Sequence, residues 1–303
     1  MSPSDILTRT ARPPDQVLRY GPRHDQFADL RLPDWSETAE KISSDLPDWA
    51  VVIFLHGGFW RAAYDRTHTG PLAEALAAEG FAVCAPEFRR TGEPGGGWPG
   101  TFDDVAAAVD ALPAMVADAA GGRADPGRVI LAGHSAGGHL ALWAAGRRRL
   151  PADSPWHRSD AAGVGGVRVV GVVSLAGVCD LAAAARLGLG RGAAADLMGG
   201  GPGSGGEAGE VGERYRAADP MGLVPTGARV RLVHGVADDV VPARLSEEYA
   251  GCARDAGDDV ACELLEGCGH FEVIDPVSGA WPAVLRAFVA AAGGGGEPGS
   301  GGA

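Results

Sequence analysis

Lysine is almost missing from this chain of 303 residues: of its 26 basic residues only Lys41 is a lysine, and the rest are arginines. A P-loop needs a lysine behind its glycines, and a pyridoxal enzyme needs one for its Schiff base. Lys41 lies in the polar stretch EKISSD, with no glycines before it to cradle a phosphate, so neither class is expected. Net positive charge is also lacking. The formal charge is -13, which argues against a nucleic-acid partner, because phosphates are met by basic clusters. The single dense basic run, Arg147-Arg148-Arg149, reads as a helix C-terminus, where cations suit the helix dipole. Cysteine is sparse: five residues at irregular spacings, with no CxxC, suggest neither a disulfide framework nor a zinc cage. The first residues, MSPSDILTRTARPPDQ, lack the apolar core of a secretory signal. No apolar run approaches the roughly 18 residues of a membrane span. A cytoplasmic protein with no membrane partner and no nucleic-acid partner is the expectation.

What the chain has is a rhythm. Two short runs, 16–21 and 27–33, flank PRHDQ and read as a hairpin. From about residue 50 continuous apolar runs alternate with Ala/Leu-rich helical stretches. Strands are expected at 50–56, 81–87, 128–134, 168–177, 229–235 and 260–267. Helices are expected at 67–80, 101–120, 135–149, 243–257 and 278–292. Thr101 is read as the cap of the second of these, with Asp103 and Asp104 in its first turn. Continuous rather than alternating apolar runs mark strands buried on both faces. Strand–helix alternation of that kind predicts an α/β fold, a mostly parallel doubly wound sheet, here with an N-terminal antiparallel hairpin. One domain spans 1–292. The Gly/Ala-rich stretch 179–218 breaks the rhythm and reads either as a functional insertion or as a flexible linker. The tail GGGGEPGSGGA (293–303) has the composition of disorder.

The chemistry is densest in RVILAGHSAGGHLALW. Gly133-His134-Ser135-Ala136-Gly137 is a GxSxG, with a strand running into it and a helix running out. A nucleophile elbow needs that setting. The turn is tight enough to demand glycine on both flanks, and it lifts the serine oxygen to the end of the sheet. A serine hydroxyl needs a base to take its proton, and on such an elbow the acid and then the histidine follow in the chain. Beyond the elbow helix the histidines are His157, His234 and His270. His157 lies in a Pro/Arg-rich loop and reads as surface. His270, in EGCGHFE just after the last strand, is placed where the base must come from. Asp238 and Asp239 lie in the loop after the preceding strand, and Asp238 is preferred as the acid. His234 reads as a structural residue at the strand end.

The combination of HGGFW (56–60), GHSAGG, HGVADDVVP and GCGHF resembles the α/β-hydrolase superfamily along nearly the whole chain. The α/β-hydrolase fold is what that resemblance implies, with an oxyanion hole made by the amides of Gly58, Phe59 and Ala136. It also implies a lid-like insertion at about 179–218. HGG followed by an aromatic and Trp is similar to the kynurenine formamidase (arylformamidase) branch and its esterase neighbours. Phe59 stands where the hormone-sensitive-lipase branch carries a third glycine. The resemblance implies a serine hydrolase for a small-molecule substrate, needing no cofactor and no metal, with Ser135, Asp238 and His270 as triad. An aryl formamide such as N-formylkynurenine is the first expectation for substrate, Phe59 and Trp60 supplying an aromatic wall. Short-chain acyl esters are the alternative. A non-catalytic hydrolase-like binding protein is the reading from another class. Two rival motifs are weak. Gly95-Gly96-Gly97-Trp98-Pro99-Gly100 is a formal GxGxxG, but it stands away from the strand and Pro99 spoils its last step, so it reads as a flexible loop. His134 and His139 are five apart and His68 is isolated, which makes no metal cluster.

Overall fold

The computed structural model describes residues 3–34, 49–158, 167–204 and 209–293. Of the expected tail, only Gly293 falls among them. The sheet has eight strands in the order β1-β2-β4-β3-β5-β6-β7-β8. These are β1 (Gln16–Arg19), β2 (Phe27–Arg31), β3 (Trp49–Leu55), β4 (Ala82–Pro86), β5 (Ala124–His134), β6 (Val169–Leu175), β7 (Arg229–Gly235) and β8 (Asp259–Leu265). β1 pairs antiparallel with β2, and β2 antiparallel with β4. From β4 onward every pairing is parallel. This is an α/β-hydrolase-type sheet with its antiparallel hairpin at one edge.

The continuous apolar runs behave as double-sided burial predicts. Every residue of β3 is buried, as is every residue of β4. Cores form on both faces, one holding Val51, Ile53, Leu131 and Phe102, the other Val52, Phe54, Ile130 and Phe288. The helix behind the elbow, Ala136–Gly146, is buried nearly all round, which suits its almost unbroken apolar sequence. None of the described helices is long and apolar enough to cross a membrane.

Three local expectations need correction. Helix Gly100–Ala119 has Pro99 at its N-cap and no side-chain cap. Thr101 Oγ1 instead donates to the Arg89 carbonyl at 2.7 Å and accepts from the Gly97 amide at 3.1 Å. Asp104 is fully buried and takes a two-pronged contact from Arg89, both prongs at 2.8 Å. The bidentate guanidinium outcompetes the helix terminus for that carboxylate. The Gly95–Gly100 segment is no loose loop: a Cβ on Gly96 would lie 1.8 Å from the Arg90 carbonyl oxygen, and the Trp98 amide donates to Leu197 O at 2.8 Å. Third, the stretch 179–218 carries helices at Leu181–Arg186, Leu189–Met198 and Glu210–Ala218. Of the run 199–212, residues 205–208 lie outside the described set.

Candidate active site

β5 delivers Ser135 at its C-terminal end, and the helix Ala136–Gly146 leaves immediately after it. Ser135 has φ 55 and ψ -118, a conformation costly for a residue with a Cβ. It is over-determined by its neighbours. The Ser135 amide donates to Leu175 O at 2.9 Å, and its carbonyl accepts from Val178 N at 3.1 Å. The flanking glycines are steric necessities: a Cβ on Gly133 would lie 2.2 Å from Gly137 O, and one on Gly137 would lie 2.0 Å from Leu55 O.

The two loops that follow β7 and β8 bring Asp238 to His270. His270 Nδ1 donates to Asp238 Oδ2 at 2.7 Å. The other oxygen, Oδ1, accepts from the amides of Val240 and Val241, both at 2.8 Å. Burial works to raise the Asp238 pKa, but the hydrogen bonds from His234, His270 and Val241 N outweigh it and hold the group well below the ordinary carboxylate range. Asp239 is exposed and is not drawn into this network. Gly235 lets the loops meet, since a Cβ there would lie 2.1 Å from Cys268 O, and the Ala237 amide donates to that carbonyl at 3.0 Å.

Two further histidines support the pair. His234 is fully buried, with Nε2 3.1 Å from Asp238 Oδ2 and 2.9 Å from Val241 O, and Nδ1 2.7 Å from Ser246 Oγ. Because Nε2 faces two acceptors, it carries the proton. His134 Nε2 donates to the His270 carbonyl at 2.9 Å. Burial, and next the neighbouring His270, push the His134 pKa well below its ordinary value, so it works as a neutral donor.

The HGGFW turn takes three left-handed residues in succession after β3: Gly58 (φ 107), Phe59 (φ 53) and Trp60 (φ 56). His56 fastens the turn, its Nδ1 2.8 Å from Gly57 O and its Nε2 2.9 Å from Glu87 Oε1. Burial opposes ionisation of Glu87, yet the His56 hydrogen bond and charge, with Arg90, leave its pKa below the usual value. Among the described residues no backbone carbonyl takes the amides of Gly58 or Phe59. The Ala136 amide opens its helix, where backbone donors have no intrahelical partner.

Ser135, His270, Gly58 and Phe59 line one cavity of about 60 Å³, closed further by Leu7, Tyr64, His68, Val240 and Phe271. Among the described residues no hydrogen bond joins the Ser135 hydroxyl to His270, a gap that substrate binding commonly closes at such sites. Trp60 does not reach the cavity. It is 2% exposed and packs edge-on against His139 at 5.2 Å, so the expected aromatic wall consists of Phe59 without it. Residues 189–198 sit on Phe59 instead, its ring lying where a Cβ on the left-handed Gly190 would come within 2.5 Å. Arg61 ties the turn to the same stretch through Asp196 at 2.7 Å. Glu87, Tyr64, Leu7, Val240 and Phe271 are not singled out by the sequence, in which His68 reads only as isolated. Only Glu87 left a signal, as a charge ending a fully apolar strand.

The BD-FAE family profile matches residues 41–251. A 102-residue stretch is 34% identical to the probable carboxylic ester hydrolase LipM of Mycobacterium tuberculosis (strain ATCC 25618 / H37Rv), covering 33% of this chain and 22% of that protein. The acetyl-hydrolase of Streptomyces hygroscopicus is 31% identical over 165 residues, 49% of this chain and 52% of that protein. The chain thus matches 52% or less of the length of these curated relatives. Among solved structures, a truncated carbohydrate esterase from gut microbiota superposes with a TM-score of 0.71 at 20% identity, over 94% of this chain and 99% of that one. An esterase from Thermogutta terrifontis gives 0.64 at 19% identity, over 97% and 99%. At those identities the likeness establishes the α/β-hydrolase fold.

Proposed function

The chain belongs to the BD-FAE family, and from that membership we propose that it is a serine-dependent carboxylic ester hydrolase acting on short-chain acyl esters. The observation that carries the reading is the 2.7 Å contact between His270 Nδ1 and Asp238 Oδ2, set in the cavity that the strained Ser135 also lines. Ser135 Oγ attacks the ester carbonyl while His270 Nε2 takes its proton. Asp238 keeps the ring in the tautomer that leaves Nε2 free and stabilises the imidazolium. The amides of Gly58, Phe59 and Ala136 receive the oxyanion, each such donor being worth about 3–4 kcal/mol. The tetrahedral adduct collapses, the alkoxide leaves with the proton from His270, and water repeats the sequence to release the acid.

Ester chemistry is preferred to formamide chemistry on two supports. The curated relatives named above carry ester-hydrolase and acetyl-hydrolase names. The aryl-formamide expectation leaned on an aromatic pair, of which Trp60 is turned into the core. A cavity of about 60 Å³ suits an acetyl-sized group. The test compares kcat/KM for p-nitrophenyl acetate, p-nitrophenyl butyrate and N-formylkynurenine. Acetate is expected to lead, and preferential turnover of N-formylkynurenine overturns the ester reading. Ser135→Ala is expected to lower kcat by about 10⁵–10⁶-fold. A fluorophosphonate probe that leaves Ser135 unlabelled in folded protein would favour a non-catalytic binding role.

A further inference from the structure

We propose that Leu7 is a specificity-determining residue: the N-terminal arm, residues 3–14, sets its side chain as the end wall of the catalytic cavity and so limits the length of ester admitted. This rests on the ester-hydrolase reading above.

The catalytic cavity of about 60 Å³ is not isolated. Beside it lies a cleft of about 610 Å³, bounded by the arm on one side and by Arg31, Arg66, Thr67 and Ala73 on the other. Two residues, Leu7 and His68, line both spaces. They form the partition between a small space that holds the reacting serine and one about ten times larger that does not.

The two halves of the partition differ in rigidity. His68 stands edge-on to His56 with ring centroids 6.0 Å apart, and His56 is fastened to Glu87. Leu7 is a half-buried aliphatic side chain at the end of the short helix Pro3–Leu7. Its position is set by the arm, which is tied down along its length. Ile6 is buried in the same apolar cluster as Val273 and Ile274. Arg9 pairs with the buried carboxylate of Asp275 at 3.2 Å, in the segment that follows His270. Arg12 pairs with Glu74. Arg31 donates to the carbonyls of Arg12 at 2.6 Å and Pro13 at 3.3 Å. Asp15 closes the arm onto β2, its amide donating to Leu30 O at 2.9 Å and its carboxylate accepting from Leu32 N at 2.7 Å. A wall held this way is specific in position, yet it ends in an isobutyl group that a single truncation removes.

The experiment measures kcat/KM in two series, p-nitrophenyl esters from acetate to octanoate and acetate esters from ethyl to octyl. It uses the full chain as wild type, Leu7→Ala, Leu7→Trp and Arg9→Ala, with circular dichroism and thermal midpoints to verify folding. Leu7→Ala is expected to raise the long-to-short ratio in at least one series by about tenfold or more, the scale of one or two methylenes in an apolar pocket. Leu7→Trp is expected to lower the butyrate-to-acetate ratio. Arg9→Ala, which loosens the arm without touching the wall, is expected to shift ratios in the direction of Leu7→Ala. Unchanged ratios in both series for folded Leu7→Ala, with an active wild type, overturn this inference alone. A wild type that hydrolyses none of these esters sinks the ester reading and this inference with it.

Discussion

His234 stands 3.1 Å from Asp238 through Nε2 and Oδ2, the same oxygen that receives His270 at 2.7 Å. The acid is therefore held from three directions: the His234 ring, the Val240 and Val241 amides, and His270 itself. Over-determination of this kind is what the proposed base-orienting role of Asp238 requires. Asp238→Asn is expected to lower kcat by about 10⁴-fold, because an amide favours the wrong tautomer of His270. His234→Ala removes a prop without touching substrate, and a misplaced acid costs on the order of 10²-fold in kcat with KM little changed. His234→Gln keeps a donor for Asp238 and is expected to recover much of that loss. Steady-state kcat and KM on p-nitrophenyl acetate decide the matter. Equal kcat for His234→Ala and wild type would remove His234 from the positioning network.

Gly58 has φ 107, and a Cβ there would lie 2.4 Å from Tyr64 Cβ. The Tyr64 Cβ is fixed by its backbone, so the substitution is relieved only by a shift of the turn that links Gly58 to Tyr64 through the Arg61 amide, 3.0 Å from Gly58 O. Gly58→Ala is expected to turn its amide away from the oxyanion and to lower kcat by about 10²–10³-fold. The stability loss should stay in the ordinary range of roughly 0.5–3 kcal/mol. The informative pair of measurements is kcat against thermal midpoint. A variant of wild-type kcat would exclude Gly58 from the oxyanion hole.

The parts of this site legible in the sequence are those whose chemistry is local. Ser135 is readable because an elbow forces glycine at 133 and 137, and a strand and helix at either side. The strands are readable because double-sided burial leaves continuous apolar runs. The order β2-β4-β3-β5 is not, since pairing between segments tens of residues apart leaves no local trace. Asp238 and Asp239 are adjacent and chemically alike; the amides of Val240 and Val241 and the His234 ring select the first, and those contacts exist only once β7 and its loop are folded. Trp60 shows the same limit, because adjacency to Phe59 says nothing of which ring faces the cavity. Leu7 is more than a hundred residues from Ser135 in the chain, and only folding places both on one cavity.

Acid should destabilise this protein through its buried histidines, which outnumber the one opposing group among the described residues, Asp219, whose pKa burial pushes up to about 6. Burial pushes His139 and His68 down to about 4, and His134 well below its ordinary value. In the unfolded chain each titrates near 6.5, about the model-peptide value. A lowered histidine pKa means the unfolded state binds the extra proton, so this stability is fully present above about pH 6.5 and is lost as pH falls toward 4. Asp238 acts in a different window. Its depressed pKa contributes stability present above about pH 4, lost only as pH falls further. Urea midpoints across pH 4–7 should therefore fall with acid. His139→Gln, which keeps a donor for Ala218 O, now 3.0 Å from Nε2, should flatten that slope by about one proton. An unchanged slope would show that His139 is not buried neutral.

Asp104 anchors a second load-carrying contact, one that reaches the site indirectly. Its carboxylate is fully buried and accepts from Arg89 Nε and Nη2, both at 2.8 Å, from the Arg89 amide at 2.9 Å and from Gln26 at 2.8 Å. Arg89 leads into the loop whose Trp98 amide donates to Leu197 O, in the stretch 189–198 whose Gly190 lies against the Phe59 ring. Asp104→Ala leaves a partly buried guanidinium with only the exposed Asp103, 3.7 Å from Nη2, as a counter-charge, and is expected to cost about 3 kcal/mol, the low end for a broken buried pair. Much of that cost is the stranded charge rather than the pair's own worth. The double variant Asp104→Ala, Arg89→Met should therefore be more stable than Asp104→Ala alone, a non-additivity that a double-mutant cycle in urea reads directly. Strict additivity would mean that solvent already screens Arg89. Recovery in the double variant, with kcat on p-nitrophenyl acetate restored in step, would tie the stability of this pair to the seating of residues 189–198 against the Gly58–Trp60 turn.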